Sequence, residues 1–196
     1  MPSIAFRSFE TLQRQATTVE RASQSCASHG HAEALLASSF VLHVAAWNAY
    51  IVAIANCFLD AVSDPSHVRF TNLHTLHQAA ARRRIEKFNT PNAENARQLL
   101  MEVSGYDPWS DWQWKRRRLN AMATRQRLNE ILKVRHSIAH GFRMPVYDWN
   151  QTSTGRSRIN RSGVQWTCAF FQHLCLTTDR SLSDFVRDNY LTTAPW

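Results

Sequence analysis

Glycine and proline are scarce in this 196-residue chain, at 5 and 6, and no segment repeats, which excludes collagen-like, low-complexity and repeat architectures. The four cysteines, Cys26, Cys57, Cys168 and Cys175, form no CxxC pair. A chain of this length can bury a core without disulfide staples, so a reduced, cytoplasmic protein is expected. The opening MPSIAFRSFETLQRQ lacks an apolar run behind a basic start, and no secretion signal is expected. P-loop, GxGxxG and GxSxG motifs are missing, which removes the usual sequence support for nucleotide hydrolysis, dinucleotide redox chemistry and serine hydrolysis. Acidic residues are the minority, 15 against 23 Lys and Arg, for a net charge of +8. That balance points to an anionic partner, nucleic acid first.

What is present, 44% hydrophobic residues with few helix breakers, describes one folded, helix-rich domain spanning 1–196. From Ile4 to about Ser25, Phe6, Phe9, Leu12, Ala16 and Val19 recur at spacings of three and four, the stripe of an amphipathic helix. Ala32 to Val62 is apolar nearly all round and stops at Asp64-Pro65. Within it, Val41 to Leu59 has 16 apolar residues in 19 and no formal charge, long enough for a membrane span. His43, Asn48 and Asn56 argue against that, since a lone span has no neighbours to satisfy them, so a buried bundle helix and no membrane are expected. Residues 66–76 are ambiguous. QAAARRRIEKF reads as a helix ended by FNTPN, where Thr90 can cap and Pro91 can open the next helix, 91–104. YDPWSDWQWKRRR reads as a loop feeding a helix over 119–139, stopped by Gly141. An exposed loop or small hairpin near 144–164 precedes one broken or two short helices over 165–190. The expected fold is therefore all-α, a bundle of about five to six helices.

The charge is uneven. Between Arg82 and Arg161 lie 17 basic and 7 acidic residues, and the flanks hold 6 and 8. Two runs stand out: Arg82-Arg83-Arg84, and Lys115-Arg116-Arg117-Arg118 directly behind Trp109, Trp112 and Trp114. Cations interleaved with rings can hold a nucleic-acid backbone and stack a base. The same tryptophans also suit packing of the loop onto the bundle. Cys26, His29 and His31 offer a C-x2-H-x-H set without a fourth ligand, and His74 and His77 suit satisfied core or surface groups, so no metal is expected.

The richest short stretch is Arg135-His136-Ser137-Ile138-Ala139-His140-Gly141. At 100° per residue with Ile131 at zero, Ile138 falls near about −20°, Leu128 about 60°, Ala139 about 80° and Leu132 about 100°. Arg135, at about 40°, is expected in the middle of that apolar stripe, where a guanidinium must be paired or must line a cleft. His136 and His140 are neighbours at i and i+4. Two explanations stand side by side: cations drawn to the helix C-terminus with Gly141 as a stop, or a reactive site.

RHSIAHG resembles the motif of the HEPN domains, Arg, a polar residue, then His after four to six positions, with the Ile-Ala-His-Gly ending of the RiboL-PSP-type HEPN branch. FVLHVAAWNAYIVAIANCFLD is similar to that branch's early long helix, and FNTPN to the turn after its basic helix; together these span roughly residues 32–141. The resemblance implies an all-α HEPN-like bundle that dimerises with two Arg/His motifs facing one cleft, and metal-independent endoribonuclease activity. His140 would take the proton of a ribose 2′-OH, Arg135 would stabilise the phosphorane, and His136 would position phosphate or assist as an acid, with the two basic runs binding RNA. No cofactor is implied. The expected role is a toxin or antiphage-defence effector acting on tRNA or mRNA, restrained by an antitoxin or other regulatory protein. The alternative is a non-catalytic HEPN module that binds RNA or nucleotide or serves assembly.

Overall fold

A computed structural model describes residues 1–63, 70–190 and 195–196 of the chain. Among the described residues six α-helices follow one another: α1 (Ile4–Ala22), α2 (His29–Ala61), α3 (Thr71–Glu86), α4 (Ala93–Ser104), α5 (Ala121–His140) and α6 (Arg161–Tyr190). Single 3-10 turns at Ser23–Ser25, Pro108–Ser110 and Lys115–Arg117 lie between them. Among the described residues there is no strand, only isolated bridges at Trp114–Leu119 and Gln151–Ser157. The expected all-α bundle is what forms.

Helix α2 is central because it is apolar on every side, and it packs against all five other helices. Trp47, Tyr50, Ile51, Ile54, Phe58 and Leu59 are each at most 1% exposed. Burial on that scale is the main stabilising term, at about 25 cal/mol per Å² of apolar surface. Two ring groups on α2 also tie down the chain. The Trp47 indole donates to the Pro91 carbonyl (2.8 Å), and the Tyr50 hydroxyl donates to the Cys175 carbonyl (2.8 Å). The FNTPN turn is thus pinned to the core by its proline carbonyl. By length and composition α2 could also cross a membrane, but Phe40, Val44, Trp47, Ile51, Ile54 and Phe58 are buried in a bundle in which α2 meets five neighbouring helices.

The polar residues of α2 do not behave as expected. Asn56 donates to the Val52 carbonyl of its own helix (3.0 Å), while His43 Nδ1 and Asn48 Oδ1 are buried without a partner among the described residues. Intrahelical back-bonding is open to a lone helix as well, so burial of α2, and not its polar groups, argues for the bundle.

Several boundaries differ from the sequence reading for local reasons. Helix α3 begins at Thr71, well ahead of Gln78. The Asp64-Pro65 stop lies outside the described residues, and α2 ends at Ala61. Helix α4 is capped by Asn92, whose side chain accepts the Asn95 N–H (2.8 Å), and not by Thr90. Helix α5 opens one residue after Asn120, whose carboxamide oxygen accepts the Ala123 N–H (2.8 Å). Helix α6 is one continuous rod, because Phe170, Phe171, Leu174, Leu182 and Val186 keep a single buried face along it.

The 144–160 segment is the expected exposed loop with a tight turn. Thr152 N–H donates to the Arg156 carbonyl (2.8 Å), with Gly155 at φ 75°. Its anchor is Asn150, 1% exposed, which accepts the Tyr147 N–H (2.7 Å) and donates to the Pro145 carbonyl (2.9 Å).

Candidate active site at the end of helix α5

Helix α5 is fixed at its start by side chains that complete another helix. Asn129 accepts the Ala93 N–H (3.0 Å), one of the donors that the first turn of α4 cannot satisfy internally, and its amide donates to Glu94 (3.0 Å). Arg125 closes an ion pair on the same Glu94 carboxylate. These contacts hold the N-terminal half of α5 against α4.

The C-terminal end is shaped by Gly141. It takes φ 68°, a left-handed conformation that costs little only without a Cβ. The Phe142 N–H then reaches back to the Ser137 carbonyl (2.9 Å) and the Gly141 N–H to Ile138 (3.5 Å), a Schellman termination. This turn folds Phe142 onto two imidazoles. The His136 and His140 rings lie 4.4 Å apart, and the Phe142 ring is 5.6 Å from the first and 5.7 Å from the second, stacked on it. All three residues are exposed.

Arg135 is not where the helical wheel put it. It is exposed. Over the last two turns the buried positions are Ile131, Val134 and Ser137, at about 0°, −60° and −120°, so the covered side is turned away from Arg135. Earlier on the same side, the 144–160 loop reaches the helix: Asp148 binds Arg127 (2.9 Å) and the Trp149 indole donates to Glu130 (3.2 Å). Leu132 and Ala139, counted above as stripe, are half-buried and exposed. Five residues along a helix turn through about 500°, so Arg135 and His140 point about 140° apart on one chain.

The structure brings His136 and His140 together and displays the basic runs elsewhere. Arg82, Arg83 and Arg84 are exposed at the end of α3, where Arg84 pairs with Glu102 (2.5 Å) at the end of α4 and Arg82 lies 4.0 Å from Asp60. Lys115, Arg116, Arg117 and Arg118 are all exposed on a turn closed by the Trp114–Leu119 bridge, with Arg118 at φ 54°. The tryptophans serve packing. Trp112 is 1% exposed and donates to the Thr178 hydroxyl (2.9 Å). The guanidiniums of Arg97 and Arg125 both lie over the Trp109 ring, 4.3 and 4.5 Å from its centroid. Asp107 binds Arg97 in a fork (2.9 and 2.5 Å), which holds its carboxyl below the usual range. Trp114 stacks on His173 (5.1 Å).

Among the described residues no three His, Cys, Asp or Glu side chains gather as a metal set. His29 pairs with Glu33 (3.6 Å), and His74 Nε2 meets the Val62 carbonyl (2.7 Å) at the end of α2. One cavity, of about 400 Å³, opens along α5 and is lined by Glu94, Met122, Arg125, Asn129, Lys133 and Tyr147, among others. Its α5 residues Met122, Asn129 and Lys133 share the helix face that ends in His136 and His140. Sequence reasoning missed this groove, because Tyr147 comes from the polar stretch; the Tyr-x-Trp pattern there was the available signal.

No curated protein and no solved structure shows a significant match to the chain. The RiboL-PSP-HEPN family model does match, over residues 6–184, and includes α1 through most of α6. The chain therefore belongs to the RiboL-PSP-HEPN family, and HEPN domains are generally RNases or nucleotide-binding modules.

Proposed function

We propose that the protein is a metal-independent endoribonuclease whose site is built from the C-terminal end of α5. The observation that carries this is the exposed pair of imidazoles 4.4 Å apart, held at a helix end whose sequence also carries an exposed arginine. Histidine is the side chain that exchanges protons near neutral pH. His140 takes the proton of a ribose 2′-OH, and the 2′-oxygen attacks the adjacent phosphorus. The P–O5′ bond breaks, and an imidazolium returns a proton to the departing 5′-oxygen. His136 positions the phosphate or supplies that proton. Arg135 stabilises the charge on the phosphorane. Since Arg135 and His140 diverge by about 140° on one helix, a single phosphate is served by Arg135 of one protomer and His140 of the other, in a homodimer. The exposed runs Arg82 to Arg84 and Lys115 to Arg118 supply phosphate contacts to tRNA or mRNA. A toxin or antiphage-defence role, with an antitoxin or other regulatory protein as restraint, suits such an activity.

The test is incubation with total tRNA and a structured RNA in EDTA, beside Arg135→Ala and His140→Ala checked for folding by circular dichroism. Wild type is expected to leave 2′,3′-cyclic phosphate and 5′-hydroxyl ends and to spare DNA, which lacks the nucleophile; each variant loses activity by about 100-fold or more. Products with 3′-hydroxyl ends contradict the mechanism. A second reading rests on the cap itself. Phe142 against His136 is the apolar contact that accompanies a Schellman turn, and a non-catalytic module binding RNA or nucleotide, or serving assembly, needs nothing more from the histidines. Under it His140→Ala leaves function intact.

A further inference from the structure

Along the groove on α5 the charges are distributed unevenly. Glu94 is paired with Arg125, and Glu130 with Arg127 (3.3 Å). Lys133, at the end nearest the histidines, is exposed and has no ion-pair partner among the described residues. It lies three residues before His136 and seven before His140, about 4.5 and 10.5 Å along the axis. An anion is therefore favoured at the Lys133 end, and the carboxylate- and amide-lined remainder disfavours a second one.

The far wall is aromatic. Phe40 stacks on Trp149 (5.8 Å, 15°) and Trp149 on Tyr147 (6.2 Å, 9°), three near-parallel rings that run from the core to the groove. Tyr147 is the outermost and lines the cavity. The stack is braced from three sides: Trp149 donates to Glu130, buried Asn150 holds the Tyr147 N–H, and Arg158 N–H donates to the Asn150 carbonyl (2.8 Å). A pre-ordered ring face beside hydrogen-bonding groups, one step from a lone cation, matches a nucleotide with its base on the ring and its phosphate on the ammonium.

We propose that this groove is a base-binding subsite, in which Tyr147 stacks on a nucleobase one nucleotide removed from the cleaved phosphate and Lys133 holds the phosphate between them. The subsite rests on the ribonuclease reading, and it makes Tyr147 and Lys133 positioning residues.

The probe is a 2′-O-methyl oligoribonucleotide, which binds but cannot be cut because its 2′-oxygen carries no proton. Affinity is read by fluorescence anisotropy for wild type, Tyr147→Phe, Tyr147→Leu and Lys133→Gln, alongside melting temperatures. Tyr147→Phe is expected to bind within about twofold of wild type, and Tyr147→Leu, which still covers Trp149 but lacks a planar face, about tenfold more weakly. That loss should vanish when that position of the probe is abasic, a coupling that a purely structural tyrosine does not show. Lys133→Gln is expected to lower the slope of log affinity against log salt by about one. Equal binding by Tyr147→Leu and wild type, or a loss unchanged by the abasic probe, overturns the subsite while RNA cleavage by wild type stands. Absence of both cleavage and binding by wild type overturns the ribonuclease reading and the subsite with it.

Discussion

His43 is 1% exposed in the middle of α2, and burial pulls its pKa down to about 4. The unfolded imidazole titrates near about 6.5. Above that pH both states are neutral. Between about 6.5 and 4 only the unfolded chain takes the proton, so stability is lost as pH falls, by about 1.4 kcal/mol per unit and about 3 kcal/mol in all. Urea unfolding at pH 7, 5.5 and 4.5 measures this, and His43→Leu is expected to flatten the acid limb. Equal acid sensitivity in the variant contradicts the assignment. The sequence showed His43 as a polar residue in an apolar run, yet nothing in it showed that Nδ1 has no partner, because that depends on which side chains of other helices arrive opposite.

At the scale of the element, α5 shows what a hydrophobic pattern can and cannot reveal. Its existence, its glycine stop and its paired histidines were legible, since capping and i,i+4 spacing are local. The position of Arg135 was not. The buried positions of its second half, Ile131, Val134 and Ser137, depend on what packs against the helix in three dimensions, and the loop that reaches Arg127 and Glu130 on that side has an irregular pattern of its own. The Schellman turn gives a test of how far the histidines depend on the cap. A Cβ at Gly141 meets nothing within 4 Å, so Gly141→Ala costs only its backbone strain at φ 68°, about 1 kcal/mol or about 3 °C in melting temperature. Cleavage is expected to fall by more than that stability loss explains, because the turn seats Phe142 on both imidazoles. Activity that tracks melting alone contradicts a positioning role for the cap.

For the molecule as a whole, the all-α class and the central α2 were legible because the apolar stretch from Val41 to Leu59 is long, uncharged and apolar on nearly every side, and such a helix has to be packed against others. The groove and the aromatic stack required three dimensions, whereas the divergence of Arg135 from His140 follows from their five-residue spacing on one helix. A helix end that points its arginine one way and its histidine another makes a single site only across two copies. The direct measurement is therefore complementation between Arg135→Ala and His140→Ala, co-expressed with different tags and purified as the mixed dimer. Each protomer is inactive alone, and the mixed dimer regains one intact site of two, about half of wild-type cleavage. A mixed dimer as inactive as either parent contradicts a site shared between protomers.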